Sequence, residues 1–132
     1  MTPSDVEAAL RVQTANFAGS IAWEDVTYLP DLSVPYIRVR NLPVANKAAG
    51  IGANAPNKLT GIWEIIVCTP TGNGTGDANA IADQVEALFP RGFSLVAGGG
   101  YVRSIDPPSR GRVIVTDAWA YLPISIPYYA YL

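Results

Sequence analysis

Two short runs hold residue types that could do chemistry. Gly72, Gly74 and Gly76 form a glycine-rich run between an apolar, strand-like segment and a helix-like one. Glycine amides at a helix N-terminus can cradle a phosphate. A phosphate loop, however, needs a lysine and a serine or threonine after the last glycine, and here Asp77, Ala78 and Asn79 follow. The dinucleotide fingerprint would need a third glycine where Asp77 stands. Asp77 at the helix start would also repel phosphate, so the run reads as a flexible connection, with nucleotide binding the minor alternative. The second run is Glu24–Asp25. Paired carboxylates can do acid–base work or hold a hard cation, but both uses need further ligands or a partner at a distance. A solvated turn, continued by Pro30 and Asp31, is the plainer reading.

Other chemistry is scarce. The chain has no histidine and one cysteine, Cys68. That removes the usual general base and any histidine-based triad. It also removes an internal disulfide and a cysteine-rich zinc site. Cys68 closes an apolar run and reads as a small buried filler. Arg38 and Arg40 share one face of an alternating segment, where they can meet a phosphate or a partner's carboxylate, or simply solvate a sheet. Solvation or a subunit contact is preferred. The residues thus predict no catalytic set, no metal site and no cofactor.

The elements that carry these residues centre on Thr60–Gly92. Ile62, Trp63, Ile65, Ile66 and Val67 suit a strand covered on both faces. Asp77 is expected to cap the following helix. Ile81, Val85, Leu88 and Phe89 place one apolar face of that helix on the sheet, and Pro90 and Gly92 end it. Upstream, Ser4–Ala18 reads as a first helix, with Ser4 and Glu7 at capping-box spacing, Val6, Leu10 and Phe17 as its apolar stripe, and Gly19 as its stop. Val34–Leu42 alternates as a half-exposed strand, Ile37 and Val39 on one side and Tyr36, Arg38 and Arg40 on the other. Pro43–Leu59 is small, nearly uncharged and without periodicity. It reads either as a floppy hairpin connection or as a protruding arm that orders on a neighbouring subunit. Downstream, Phe93–Ala97, Tyr101–Ile105, Arg110–Asp117 and Trp119–Ile126 are expected strands. The predicted fold is α/β (α+β): one domain over 1–132, a mixed, mostly antiparallel sheet with two main helices packed on it.

Bulk composition points the same way. In these 132 residues only 15% are charged and 49% are hydrophobic, against a usual charged share of roughly 25%. So few charges, with many tyrosines and tryptophans, predict self-association. A net charge of -2 with only two lysines argues against a nucleic-acid footprint. The N-terminus lacks a signal-peptide pattern, and the apolar tail 118–132 is too short to span a bilayer and holds Pro123 and Pro127. An intracellular, soluble protein is expected.

The order of signals resembles a known family. WEDV at 23–26, PYIRV at 35–39, GIWEIIV at 61–67 followed by PTGNGTG, IADQVEALFPRG at 81–92 and WAYLPISIPY at 119–128 resemble the tail terminator proteins of long-tailed phages, those with flexible, non-contractile tails in particular. The resemblance covers nearly the whole chain and is best over 61–70 and 81–92. It implies a homo-oligomeric ring, expected to be a hexamer, on the head-proximal end of the tail tube. The ring stops tube growth and offers a surface to the head–tail connector protein, while DNA passes through the lumen without sequence readout. Expected partners are thus further copies of the chain, the tail tube protein and the connector, with no membrane, in a virion assembled in the host cytoplasm. Interface candidates are Asn54, Asn57 and Lys58 in the arm, Arg38 and Arg40 on the strand, and Trp119, Tyr121, Tyr128 and Tyr129 near the end. For Trp119 core burial is an equal reading. The competing classes are another head–tail junction ring or a tube protein, a cellular adaptor, and an enzyme.

Overall fold

The computed structural model describes residues 1–30, 33–72 and 74–132; Asp31, expected in a turn, and Asn73, expected in the glycine run, lie outside the described residues. The first helix, α1, spans Pro3–Thr14. Its cap sits two residues earlier than the Ser4–Glu7 spacing suggests. Thr2 Oγ1 accepts the Asp5 amide at 3.3 Å and Asp5 Oδ2 accepts the Thr2 amide at 2.8 Å. The same capping box forms with a shorter acid, and that amide holds the Asp5 carboxyl below its ordinary range. The helix stops at Thr14, short of Gly19.

The sheet is assembled from β1 (Ser20–Ala22), β2 (Tyr36–Ala48), β3 (Asn57–Pro70), β4 (Ser94–Ala97), β5 (Gly100–Arg103), β6 (Ser109–Arg110), β7 (Ile114–Val115) and β8 (Trp119–Tyr131). Its path is β1-β2-β3-β8-β5-β4, with β6 and β7 pairing onto β8. Only β1 and β2 run parallel, so the architecture is α+β with a mixed, mostly antiparallel sheet, as expected. The Pro43–Leu59 segment, expected without regular structure, is a hairpin, as one of its two readings had it, but with paired strands. Strand β2 continues to Ala48 in register with β3 down to the Ala48–Asn57 pair, with an irregularity between Pro43 and Ala45. Small residues form strand here because β3 offers a partner edge, not through their own preference. The Arg110–Asp117 strand is also corrected. Gly111 interrupts it, and only the short pieces β6 and β7 reach β8.

Strand β8 runs past Ile126 to Tyr131 although it holds two prolines. The Pro123 carbonyl accepts the Gly111 amide at 2.8 Å, so the edge on which proline lacks its N–H faces away from β3. Pro127, four residues on, faces the same way. The β3–β8 ladder therefore stays intact over thirteen pairs, from Lys58–Tyr131 to Pro70–Trp119.

Both helices lie on one face of this ladder. The second, α2, spans Gly76–Leu88 and starts from Thr75, which gives no side-chain cap; Asp77 sits inside the first turn instead. Val6 and Leu10 of α1, Ala78, Ala82 and Val85 of α2, and Phe89 just beyond it pack on Ile37, Val39, Trp63, Ile65, Val67, Ile124 and Ile126 in one core. Two polar links lock the layers. Trp63 Nε1 donates to Thr14 Oγ1 at 2.9 Å, and Gln13 Nε2 donates to the Leu88 carbonyl at 2.6 Å. The expectation that β3 is covered on both faces is corrected. Leu59, Gly61, Trp63, Ile65 and Val67 are buried, but the alternate residues Thr60, Ile62, Glu64 and Ile66 are only half-buried.

Candidate subunit interface

Sheet parity decides what faces outward. Opposite the helices, Tyr36, Arg38 and Arg40 of β2 stand beside Glu64 and Ile66 of β3 and Tyr121, Pro123, Pro127 and Tyr129 of β8. At one end this face closes on itself: Ala22, Tyr36, Cys68 and Trp119 form a small second core with Tyr28, Ile66 and Tyr121 against it. The Trp119 and Tyr36 rings meet edge to face at 5.2 Å. Burial there pushes the Cys68 thiol up to about 11 and the Tyr36 hydroxyl, beside that thiol, up to about 12. Cys68 is thus a protonated filler at neutral pH, as its position in sequence suggested, and not a thiolate nucleophile.

Beyond this cluster the face is open. Ile62, Pro123, Pro127 and Tyr129 are half-buried and no helix lies over them. Arg40 is paired with Glu64 at 2.6 Å, and Arg38 Nη2 lies 3.5 Å from the Tyr36 hydroxyl; both arginines remain exposed. Tyr129 carries Lys58 Nζ over its ring at 5.0 Å and stacks edge-on with Tyr131. Across the sheet end, Arg103 lies over Tyr101 at 4.9 Å.

The hairpin ends in a short arm continuous with this face: Lys58 still pairs with Tyr131 and the Leu132 amide donates to the Asn57 carbonyl at 2.8 Å, so only the tip at 49–56 runs past β8. Strand β1 pairs with β2 only at Tyr36–Arg38, so the outer edge of β2 beyond Arg38 has no strand partner among the described residues. The tip is closed by the Ala49 amide on the Pro56 carbonyl at 2.9 Å and the Ala55 amide on the Gly52 carbonyl at 3.2 Å. Gly52 has φ 102, a conformation open to glycine. Asn54 and Asn57 are exposed there, Ile51 is fully exposed, and Lys58 is half-buried against Tyr129.

The sequence-derived candidates therefore divide. Arg38, Arg40, Asn54, Asn57, Lys58 and Tyr129 lie on the open face or the arm, and Tyr121 rests half-buried against the closed cluster. Trp119 and Tyr128 are buried inside the chain, 7% and 3% exposed, which leaves little of either for a neighbour. Tyr128 belongs to the helix side. Its ring covers Gly61, where an added Cβ would stand 2.6 Å from the ring carbon Cζ, and its hydroxyl donates to Asn41 Oδ1 at 2.7 Å. Sequence reasoning missed Lys47, Ile51 and Tyr131, all exposed on or beside the arm.

The other chemical candidates are turns. Glu24 accepts the Asn41 amide at 2.9 Å, and Asp25 adopts φ 59. Gly72 and Gly74 have φ 96 and 74, which reverse the chain between β3 and α2. Among the described residues no three metal-ligating side chains gather. Sequence reasoning also missed Arg110, whose guanidinium ties β6 to α2 through Asp83, Glu86 at 2.8 Å and Asn79 at 3.2 Å.

Comparison with known proteins fits a structural part. No protein with a curated description matches the chain. One solved structure, whose title states no function, is 26% identical with a TM-score of 0.77 and covers 98% of this chain and 96% of its own. Another, titled as the virion of a native gene transfer agent particle, is 18% identical with a TM-score of 0.58, over 96% of this chain and 92% of its own, and shares the fold. The family model described as phage tail terminator protein matches residues 5–128. With that match covering nearly the whole chain, including α2 and most of α1 and of the β3–β8 ladder, the chain belongs to the phage tail terminator proteins, structural components of phage tails.

Proposed function

We propose that six copies of this chain, each one domain over 1–132, close into a ring on the head-proximal end of a phage tail tube. The ring stops addition of further tube subunits and presents its other face to the head–tail connector. The observation that carries this reading is the half-exposed sheet face without a covering layer, continuous with the hairpin tip, in a chain of this family with 15% charged residues. A sheet face half-finished in one copy is completed by another. A ring of identical subunits needs two different contact patches per copy, and the hairpin tip is one such patch.

Termination is then a matter of shape. One ring face matches the tube end, and the other lacks the surface on which a further tube ring would sit. DNA passes through the lumen without readout, because a chain of net charge -2 offers phosphates little counterion release. No cofactor, metal or membrane takes part, and the working location is the virion tail. The test is to add the purified protein to growing tail tubes and measure their length. Tubes that stop where the protein binds support the reading. Tubes that lengthen by incorporating it identify a tube protein, and tubes of unchanged length place the chain outside tail termination.

A further inference from the structure

The end of the hairpin and a cleft beside the middle of β2 carry opposite charge. Lys47 and Lys58, the only lysines of the chain, stand directly opposite each other in the β2–β3 register. Like charges placed so are unfavourable. No carboxylate lies anywhere between Asn41 and Trp63, in a chain whose net charge is -2, so the arm is a cationic element on an acidic protein. Neither lysine has an ion pair among the described residues; Lys58 rests on Tyr129 alone. Beside the middle of β2, at Asn41 and Pro43, an open cleft of about 870 Å³ is lined by Glu7, Glu24 and Asp25 with a single guanidinium, Arg11. Arg11 is drawn aside over the Trp23 ring at 5.3 Å. Glu7 and Asp25 likewise have no ion pair among the described residues. Lys47 lies six residues of extended strand from the Asn41 wall of that cleft, roughly 20 Å. At that separation the two lysines cannot reach the cleft of their own copy.

We propose that the lysines of each arm seat in the Glu7–Glu24–Asp25 cleft of a neighbouring copy, so that electrostatic complementarity between two patches of one chain sets the order of subunits around the ring. This rests on the ring reading above and names its contact. Two lysines are a small footprint for a nucleic acid, whose binding scales with the number of phosphates neutralised, while the cleft is present once per arm in any assembly of this chain. The contact steers association and fixes register more than it adds affinity, and added salt weakens it.

The test uses two reversed variants of the full chain. One carries Lys47→Glu and Lys58→Glu. The other carries Glu7→Lys and Asp25→Asn, which leaves the Glu24 bond to Asn41 in place and keeps a residue suited to positive φ at position 25. By sedimentation velocity at low salt, each variant alone is expected to self-associate at least about tenfold more weakly than wild type, a loss of roughly 1.4 kcal/mol, with unchanged circular dichroism. An equimolar mixture is expected to regain wild-type association, because each reversed arm finds a reversed cleft and each native arm a native one. Wild-type association by either variant alone, or a mixture no better than its parts, overturns the inference while leaving the ring reading standing. Loss of retention on double-stranded DNA by the arm variant, with self-association unchanged, overturns it in favour of nucleic acid. A wild-type chain that stays monomeric both alone and with tube ends overturns the ring reading itself, and this contact with it.

Discussion

The two faces of the sheet solve different problems. On the helix side, Trp63, Ile65, Val67, Ile124 and Ile126 are sealed beneath α1, α2 and Phe89, and the indole N–H of Trp63 has its partner in Thr14. On the other side, the small cluster of Tyr36, Cys68 and Trp119 closes one end, and the rest of the face stays half-exposed out to the arm. The same two strands supply both faces by alternation. One face stabilises the chain and the other is left for assembly. Substitutions on the first should therefore alter unfolding, and substitutions on the second should alter association.

The largest effect on the chain itself is expected from Leu10→Ala. Leu10 is fully buried between α1 and the sheet, so the variant should lose about 2–5 kcal/mol in urea unfolding. Gly61→Ala follows. Its methyl group would press into the Tyr128 ring in a packed core, and overpacking of that kind costs about 1–3 kcal/mol. Tyr128→Phe keeps the ring and removes only the bond to Asn41, which should lower stability by about 1 kcal/mol.

The closed end of the other face has a pH signature. Burial raises the Cys68 thiol from its ordinary 9.0 to about 11. The protonated form is favoured in the folded state, so this contribution is complete below pH 9 and is lost as the pH rises through 11. Urea midpoints should fall across that window, and the fall should be shallower in Cys68→Ala. An equal slope in that variant would assign the whole effect to Tyr36, raised to about 12 beside it.

The smallest effect on folding and the largest on assembly are expected from Arg38→Glu with Arg40→Glu. Both arginines are exposed, but Arg40→Glu sets a like charge directly opposite the half-buried Glu64, so stability should fall modestly, by under about 1 kcal/mol. Ring formation or tail binding should fall. Wild-type tail completion by this variant would show that the open face is not an assembly surface at that position.

How far the sequence foretold this depends on what each signal measures. The core was legible because side-chain periodicity reports burial directly: Val6 and Leu10, Ile37 and Val39, and Val85 and Phe89 are all buried where spacing placed them. The two-sided reading of Ile62–Val67 failed because an apolar run cannot distinguish a neighbour within the chain from one outside it. The 43–59 hairpin was hidden because alanine, glycine and asparagine carry no strand preference, and the strand exists only through its register with β3. Both caps moved by two residues for a similar reason, since Thr2 with Asp5 and Ser4 with Glu7 satisfy the same spacing. The Lys47–Lys58 pairing needs that register too, so the charged arm became visible only in three dimensions. Trp119 and Tyr128 show the limit for aromatics, whose type suits both cores and interfaces.

The central claim is that a second copy completes the open face and the arm, in a closed assembly. Native mass spectrometry of the wild-type chain over a concentration series, with negative-stain images of the same samples and of samples containing tail-tube ends, tests it most directly. A single closed stoichiometry, six copies, that does not lengthen as concentration rises is the predicted result. Open-ended tubes, or a chain that remains monomeric even on tube ends, would contradict it.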